Sequence, residues 1–246
     1  MGVHAVMRVK LTIEYDGTNF NGWQFQPGLR TVQSELESAI YKLTGEETRV
    51  TASGRTDAGV HAIGQVAHFD TQKDLGSKYV GALNYYLPPD IRVVEAENVS
   101  EEFHARFSAK NKTYVYVMYE AKVDSAILRN RAARVQGLDV PAMNEAASVF
   151  VGKNDFAAFM STGSETLTTV RTVTAASVKR DNGLIIFTVS ADGFLYNMVR
   201  KMAAALIEVG KGKMDTCMLK SLLSPDATFT PVAPPQGLYL YKVEYK

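Results

Sequence analysis

The chain predicts an α+β fold: two similar halves, with helices lying on a largely antiparallel or mixed sheet. Three observations predict it. Runs that alternate apolar and polar residues recur along the whole chain. Amphipathic stretches with helical spacing fall between them. The order strand, helix, strands, helix, strand in the first half is followed by a related order in the second. A division near residues 103–113 gives halves of 1–105 and 106–246, expected to share one sheet. No low-complexity linker and no period of solenoid length interrupts them.

Each element follows from its own residues. "RVKLTIEYDG" (8–17) alternates and then reaches Asp16-Gly17, a strand ending in a turn. "TVQSELESAIYKLTG" (31–45) opens on a Thr cap, carries Val32, Leu36, Ile40 and Leu43 at helical spacing, and stops at Gly45. "TRVTASG" (48–54) and "GQVAHFD" (64–70) read as strands on either side of a glycine-bracketed loop. "GSKYVGALNYYL" (76–87) is a helix stopped by Pro88-Pro89, and "DIRVVEAENV" (90–99) is the next strand. "KTYVYVMYE" (112–120) is a strand of aromatic and β-branched residues, and "VPAMNEAASVFVG" (140–152) a helix with Pro141 in its first turn. "VRTVTAASVKRDNGLIIFTVSADG" (170–193) is a long hairpin turning at Asn182-Gly183. "FLYNMVRKMAAALIEVG" (194–210) is a helix, and "GLYLYKVEY" (237–245) a closing strand.

Hydrophobic residues make up 46% and charged residues 22% of the 246, the balance of a globular protein with a sizeable core. No apolar run is long enough to span a bilayer, and the amino end lacks the apolar core of a signal peptide. Gly2 suggests myristoylation, but Val6 stands where Ser or Thr is needed. Cys217 is the only cysteine, which excludes an intramolecular disulfide and any multi-cysteine zinc site. The cytoplasm is the expected home. The net charge of +1 neither requires nor excludes a nucleic-acid partner, because the distribution of charge decides that. "EAENVSEE" (95–102) is acidic, while "HARFSAKNK" (104–112), "RNRAAR" (129–134) and "RKMAAALIEVGKGK" (200–213) are basic. Each cluster alone reads as a solvated face.

The stretch with the densest chemistry is "GRTDAGVHA" (54–62), where Arg55, Asp57 and His61 crowd between Gly54 and Gly59. A metal site on Asp57 and His61 lacks a matching set, since the chain has only four histidines: His4, His61, His68 and His104. A glycosidase needs a second carboxylate across a cleft, and none is evident. Two readings then stand level. Asp57 is a turn aspartate bonding its own backbone, or a nucleophile kept ionised by a nearby cation and reachable past small neighbours.

"GRTDAGVHA" followed by "GQVAHF" resembles the tRNA pseudouridine synthase A family. The likeness runs through "YDGTNFNGWQFQP" (15–27), "LNYYLPPDIRV" (83–93), "FHARFSAKNKTYVY" (103–116), "TVRTV" (169–173), "GFLYNMVRKM" (193–202) and "PPQGLYL" (234–240). Seven stretches in family order make it specific. One departure is Asn154 in "GKNDFAAF" (152–159), where the family usually has His.

The resemblance implies an isomerase that turns uridine into pseudouridine in the anticodon arm of tRNA, at positions 38, 39 and 40. The target base is flipped out of its stack to be reached. It implies Asp57 as the nucleophile and Arg200 as its ion-pair partner. Tyr114 stacks on the extruded uracil or moves a proton, and Arg55 enters the space the base leaves. Leu238 lines the uracil pocket. Lys110 and Lys112, with Arg106 and the basic residues after Arg200, are candidates for phosphate contacts. No metal and no cofactor are implied, and the protein is expected to act as a homodimer. The ordinary alternatives are a loop contact for Arg55, an exposed helix cation for Arg200, and core strand positions for Tyr114 and Leu238. Two rival functions are an RNA-binding protein without isomerase activity and the same reaction on another RNA.

Overall fold

The computed structural model describes residues 6–163 and 166–245, so Gly2 and His4 lie outside the described residues. The chain divides into two compact units, Met1–Lys110 with Leu240–Lys246, and Asn111–Tyr239. Each is a mixed α/β unit with a mostly antiparallel sheet flanked by helices.

The first unit is built on strand β1 (Met7–Tyr15), helix α1 (Val32–Thr44), strands β2 (Thr51–Ala52) and β3 (His61–Thr71), helix α2 (Tyr79–Tyr86) and strand β4 (Ile91–Val99). β1 runs antiparallel between β4 and β3. Val9, Leu11 and Ile13 point to one face and are fully buried. Val9 pairs with Phe69 on β3, whose ring meets Tyr79 of α2 edge-on at 5.8 Å, so the helices cover this face. α1 begins and ends where its residues require. The Thr31 side chain and Ser34 form a capping box, and Gly45 closes the helix in the left-handed region at φ 76°.

"TRVTASG" is a shorter strand than its alternation predicts, because only Thr51 and Ala52 pair with β3. Val50 is drawn to α1 instead: its N–H donates to Glu37 Oε1 (3.1 Å) and its carbonyl accepts from Gln33 Nε2 (3.2 Å).

The opposite face of the first unit carries the segment after β4. Ala105 N–H donates to His68 Nδ1 (3.2 Å), and the His68 ring packs edge-on against His104 at 5.0 Å. Burial lowers the His68 pKa from 6.5 to about 4, helped by the positive Arg8 and by His104 and opposed by Asp70. Between those two values the unfolded chain binds a proton there that the folded chain refuses. The stability His68 confers is therefore complete above about pH 6.5 and lost as pH falls towards 4. His68→Gln is expected to flatten the decline of the urea midpoint between pH 7 and pH 4. An unchanged slope would count against a neutral buried His68.

The second unit holds β5 (Asn111–Glu120), β6 (Ala133–Val135), α3 (Val140–Ala147), β7 (Gly152–Asp155), β8 (Val170–Asp181), β9 (Leu184–Ala191), α4 (Met198–Gly210) and α5 (Thr216–Ser221). The last strand, β10 (Leu238–Glu244), begins in it and ends in the first unit. The antiparallel order is β5, β9, β8, β7, and β6 adds a parallel edge to β5. Tyr114, Tyr116 and Met118 pair with Val189, Phe187 and Ile185, and all six are buried. α3 packs on β8, and α4 packs on α3 and β5. At the hairpin tip Asn182 and Gly183 both take positive φ, 47° and 81°, the geometry that matches strand twist in a two-residue turn.

Two helices start or stop short of their periodic patterns. α3 ends at Ala147 and tightens into a 3₁₀ turn, where Phe150 joins Phe156 and Phe159 in a buried aromatic cluster. "FLYN" does not belong to α4. Tyr196 O accepts from Ser161 N–H (3.1 Å), and Asn197 turns the chain at φ 62° before the helix begins at Met198. The short elements β6, β7 and α5 have no periodic signal of their own.

Candidate functional site

In the first unit the Gly54–Val60 loop meets the Asp16–Gln24 loop backbone to backbone. A Cβ on Gly17 would lie 2.0 Å from Val60 O, and one on Gly22 would lie 2.7 Å from Thr56 O. Trp23 N–H donates to Thr56 O (3.0 Å), and Gly17 N–H donates to the buried His61 Nδ1 (3.0 Å). His61 is thus an acceptor that pins one loop to the other. The Asp57 loop closes on itself through Val60 N–H to Asp57 O (3.1 Å), with Gly59 at φ +77°. Asp57 is half-buried there, while Arg55 and Ala58 are exposed. The "LPPD" turn supports the second loop: Arg30 grips Asp90 with both terminal nitrogens (2.8 and 2.9 Å), and Asp16 N–H donates to Asp90 O.

In the second unit Tyr114 is buried on β5 with Phe194 edge-on to its ring at 5.0 Å. Tyr116, two residues on, is fixed by its hydroxyl to Pro234 O (2.9 Å), and Gly237 packs so close that a Cβ would touch the phenol at 2.8 Å. Burial raises the Tyr116 pKa, and the positive Arg200 opposes the rise. Arg200 stands in the first turn of α4, with Nε donating to Ala233 O (2.8 Å) and Nη1 to Asn197 Oδ1 (2.8 Å). Leu238 is buried where β10 begins. Arg171 of "TVRTV" lies against Gly193, whose Cβ would be 3.6 Å from its Nε. The stretches that carry the family likeness thus converge within each unit. Asn154, on β7, donates to Phe150 O (3.4 Å) and to that extent serves the local turn.

The basic residues divide. Lys110 is exposed and Lys112 half-buried. Lys201 is not available to a phosphate, contrary to the expectation for the basic residues after Arg200. It is buried, and Nζ donates to Ala158 O (3.1 Å), Met160 O (3.0 Å) and Phe229 O (2.5 Å). Burial lowers its pKa. No pattern in the sequence separates Lys201 from Arg200, because only packing decides which side of α4 is covered. Gly22 and Phe194 also escape sequence reasoning as individuals, and Gly17 is legible only as a turn residue, although all three sit in family-like stretches. Among the described residues no group of three or more His, Cys, Asp or Glu could hold a metal ion, and no helix is long and apolar enough to cross a membrane.

Residues 11–108 and 146–246 match the profile of a family described as tRNA pseudouridine synthase, and the chain belongs to that family of pseudouridine-forming isomerases. Its relatives sharpen the assignment. It is 47% identical over 244 residues to the tRNA pseudouridine synthase A of Ruminiclostridium cellulolyticum, covering 97% of this chain and 99% of that one. It is 45% identical over 241 residues to the protein of the same description from Acetivibrio thermocellus, covering 96% and 99%. A "tRNA pseudouridine synthase A 2" of Clostridium perfringens is 44% identical over 241 residues, with the same coverage.

Proposed function

We propose that this protein isomerises uridine to pseudouridine at positions 38, 39 and 40 in the anticodon arm of tRNA, with Asp57 as nucleophile. The reaction breaks the bond from ribose to N1 and forms one from ribose to C5. The C5 proton leaves and N1 gains one, so no oxidant or cofactor is called for. The observation that carries the reading is the near-full-length likeness to tRNA pseudouridine synthases, together with the half-buried Asp57 on a glycine-bracketed loop.

The remaining roles are those the family resemblance implies for these positions. The target base flips out, Arg55 fills the space it leaves, and Tyr114 stacks on the uracil. Leu238 lines the pocket. Arg200 supplies the counter-charge that favours the ionised form of Asp57. Lys110 and Lys112 bind phosphate without selecting sequence. The protein works in the cytoplasm.

The deciding experiment incubates the protein with tRNA lacking the modification and maps pseudouridine. Formation at positions 38–40 is the expected result. Binding without any pseudouridine, or modification confined to another RNA, would overturn the reading.

Tyr114→Phe is expected to keep stacking and tRNA affinity but to slow the single-turnover rate if the hydroxyl moves a proton. Full turnover with Phe would remove the hydroxyl from the chemistry.

A nearly neutral chain gains a basic cleft for a folded tRNA by pairing about a two-fold axis, so a homodimer is proposed as the active form. Sedimentation at working concentration should give a dimer. A fully active monomer would refute it.

A further inference from the structure

Under the Gly54–Val60 loop lies a chain of buried polar groups that the roles above leave unused. Ser53 Oγ donates to Gln65 Oε1 (2.8 Å). Gln65 Nε2 donates to Gly54 O (2.8 Å) and, more weakly, to the Tyr15 hydroxyl (3.4 Å). The hydroxyls of Tyr15 and Thr56 are 2.7 Å apart. Relative exposure is 0% for Ser53 and Gln65, 3% for Tyr15 and 6% for Thr56, so water does not compete for these bonds.

The geometry fixes the orientation of the carboxamide. A carbonyl can only accept, so the Gln65 nitrogen must face Gly54 O and its oxygen must face Ser53. Tyr15 accepts from that nitrogen and shares its shorter hydrogen bond with Thr56 Oγ1, in which either hydroxyl can donate. Burial pushes the Tyr15 pKa up to about 12, so the phenol stays protonated. Hydrogen bonds thus run from Ser53 through Gln65 and Tyr15 to Thr56. Gly54 and Thr56, the two residues held, straddle Arg55, and Thr56 directly precedes Asp57.

A fully buried carboxamide is costly unless its bonds are made, and an apolar side chain of similar size would fill the space without that demand. What the carboxamide adds is position. We propose that Gln65 is a positioning residue for Asp57: it clamps Gly54 directly and Thr56 through Tyr15, and so sets where the Asp57 carboxylate meets the flipped uridine. The inference rests on the reading of Asp57 as the reacting group.

The test compares the unaltered protein with Gln65→Met, Tyr15→Phe, Thr56→Ser and Thr56→Val. Single-turnover pseudouridine formation on bound tRNA and tRNA affinity are measured separately. A displacement of about 1 Å at a reacting group costs on the order of 100-fold in rate. Gln65→Met is therefore expected to slow the bound-state rate by about 10- to 100-fold, with affinity within about 2-fold, and Tyr15→Phe to slow it less. Thr56→Ser, which keeps the hydroxyl, should outpace Thr56→Val by about 10-fold. If Gln65→Met does not fold, Tyr15→Phe and the Thr56 pair decide. An unchanged bound-state rate, a loss confined to affinity, or equal rates for the two Thr56 variants would overturn the proposal. Absence of pseudouridine with the unaltered protein would instead fail the functional reading, a distinct result.

Discussion

Asp57→Asn is expected to reduce pseudouridine formation at least about 10³-fold, as removal of a nucleophile does in other enzymes, while tRNA affinity stays within about 2-fold. The amide nearly matches the carboxylate in shape, so the loop has no steric reason to move. The turn is closed by the backbone, Val60 N–H to Asp57 O (3.1 Å), and by Gly59, and neither depends on the side chain. What changes is chemical: an amide oxygen is a poor nucleophile and carries no charge. Affinity should persist because most of it comes from phosphate contacts elsewhere. The measurements are mapped pseudouridine after single turnover, a binding isotherm at fixed salt, and a thermal scan. Turnover near that of the unaltered protein would end the nucleophile assignment. Loss of folding would make Asp57 a structural turn residue instead.

Gly17→Ala is expected to be the most damaging small substitution in the first unit. Its new Cβ would lie 2.0 Å from Val60 O and 2.5 Å from the carbonyl carbon, both backbone atoms that no rotamer change can move. Relief requires the two loops to separate, which breaks the bond from Gly17 N–H to His61 and shifts the turn that carries Asp57. The cost is about 3 kcal/mol or more, which corresponds to a fall in Tm of roughly 10 °C. Gly28, with φ +76° and nothing within 4 Å of an added methyl, is the control. Gly28→Ala should cost only about 1 kcal/mol, from backbone strain alone. Equal effects at the two positions would show that the loops are not locked together.

Much of the fold was legible because local periodicity and local chemistry agreed. Thr31 and Gly45 bound α1 where a cap and a left-handed stop were expected, and Asn182-Gly183 turn the long hairpin. Where local pattern misled, a distant group had claimed the backbone or the side chain. Val50 looks like a strand residue, yet its N–H and carbonyl go to Glu37 and Gln33. Leu195 to Asn197 look helical, yet the Ser161 segment holds them in a turn. Lys201 looks like a free cation beside Arg200, yet three carbonyls surround it.

By itself the sequence determined the class of fold, the family, and Asp57 as the residue to question, because these reside in spacing, residue type and order along the chain. Only the tertiary structure decided why the loop packed against the Asp57 turn is so small-sided. Gly17 and Gly22 are glycines because another backbone passes within van der Waals reach, and Gln65 is polar because Gly54 O and the Ser53 hydroxyl meet it there. Such demands come from atoms distant in the chain, with Gln65 and Tyr15 fifty residues apart, and no local pattern can carry them.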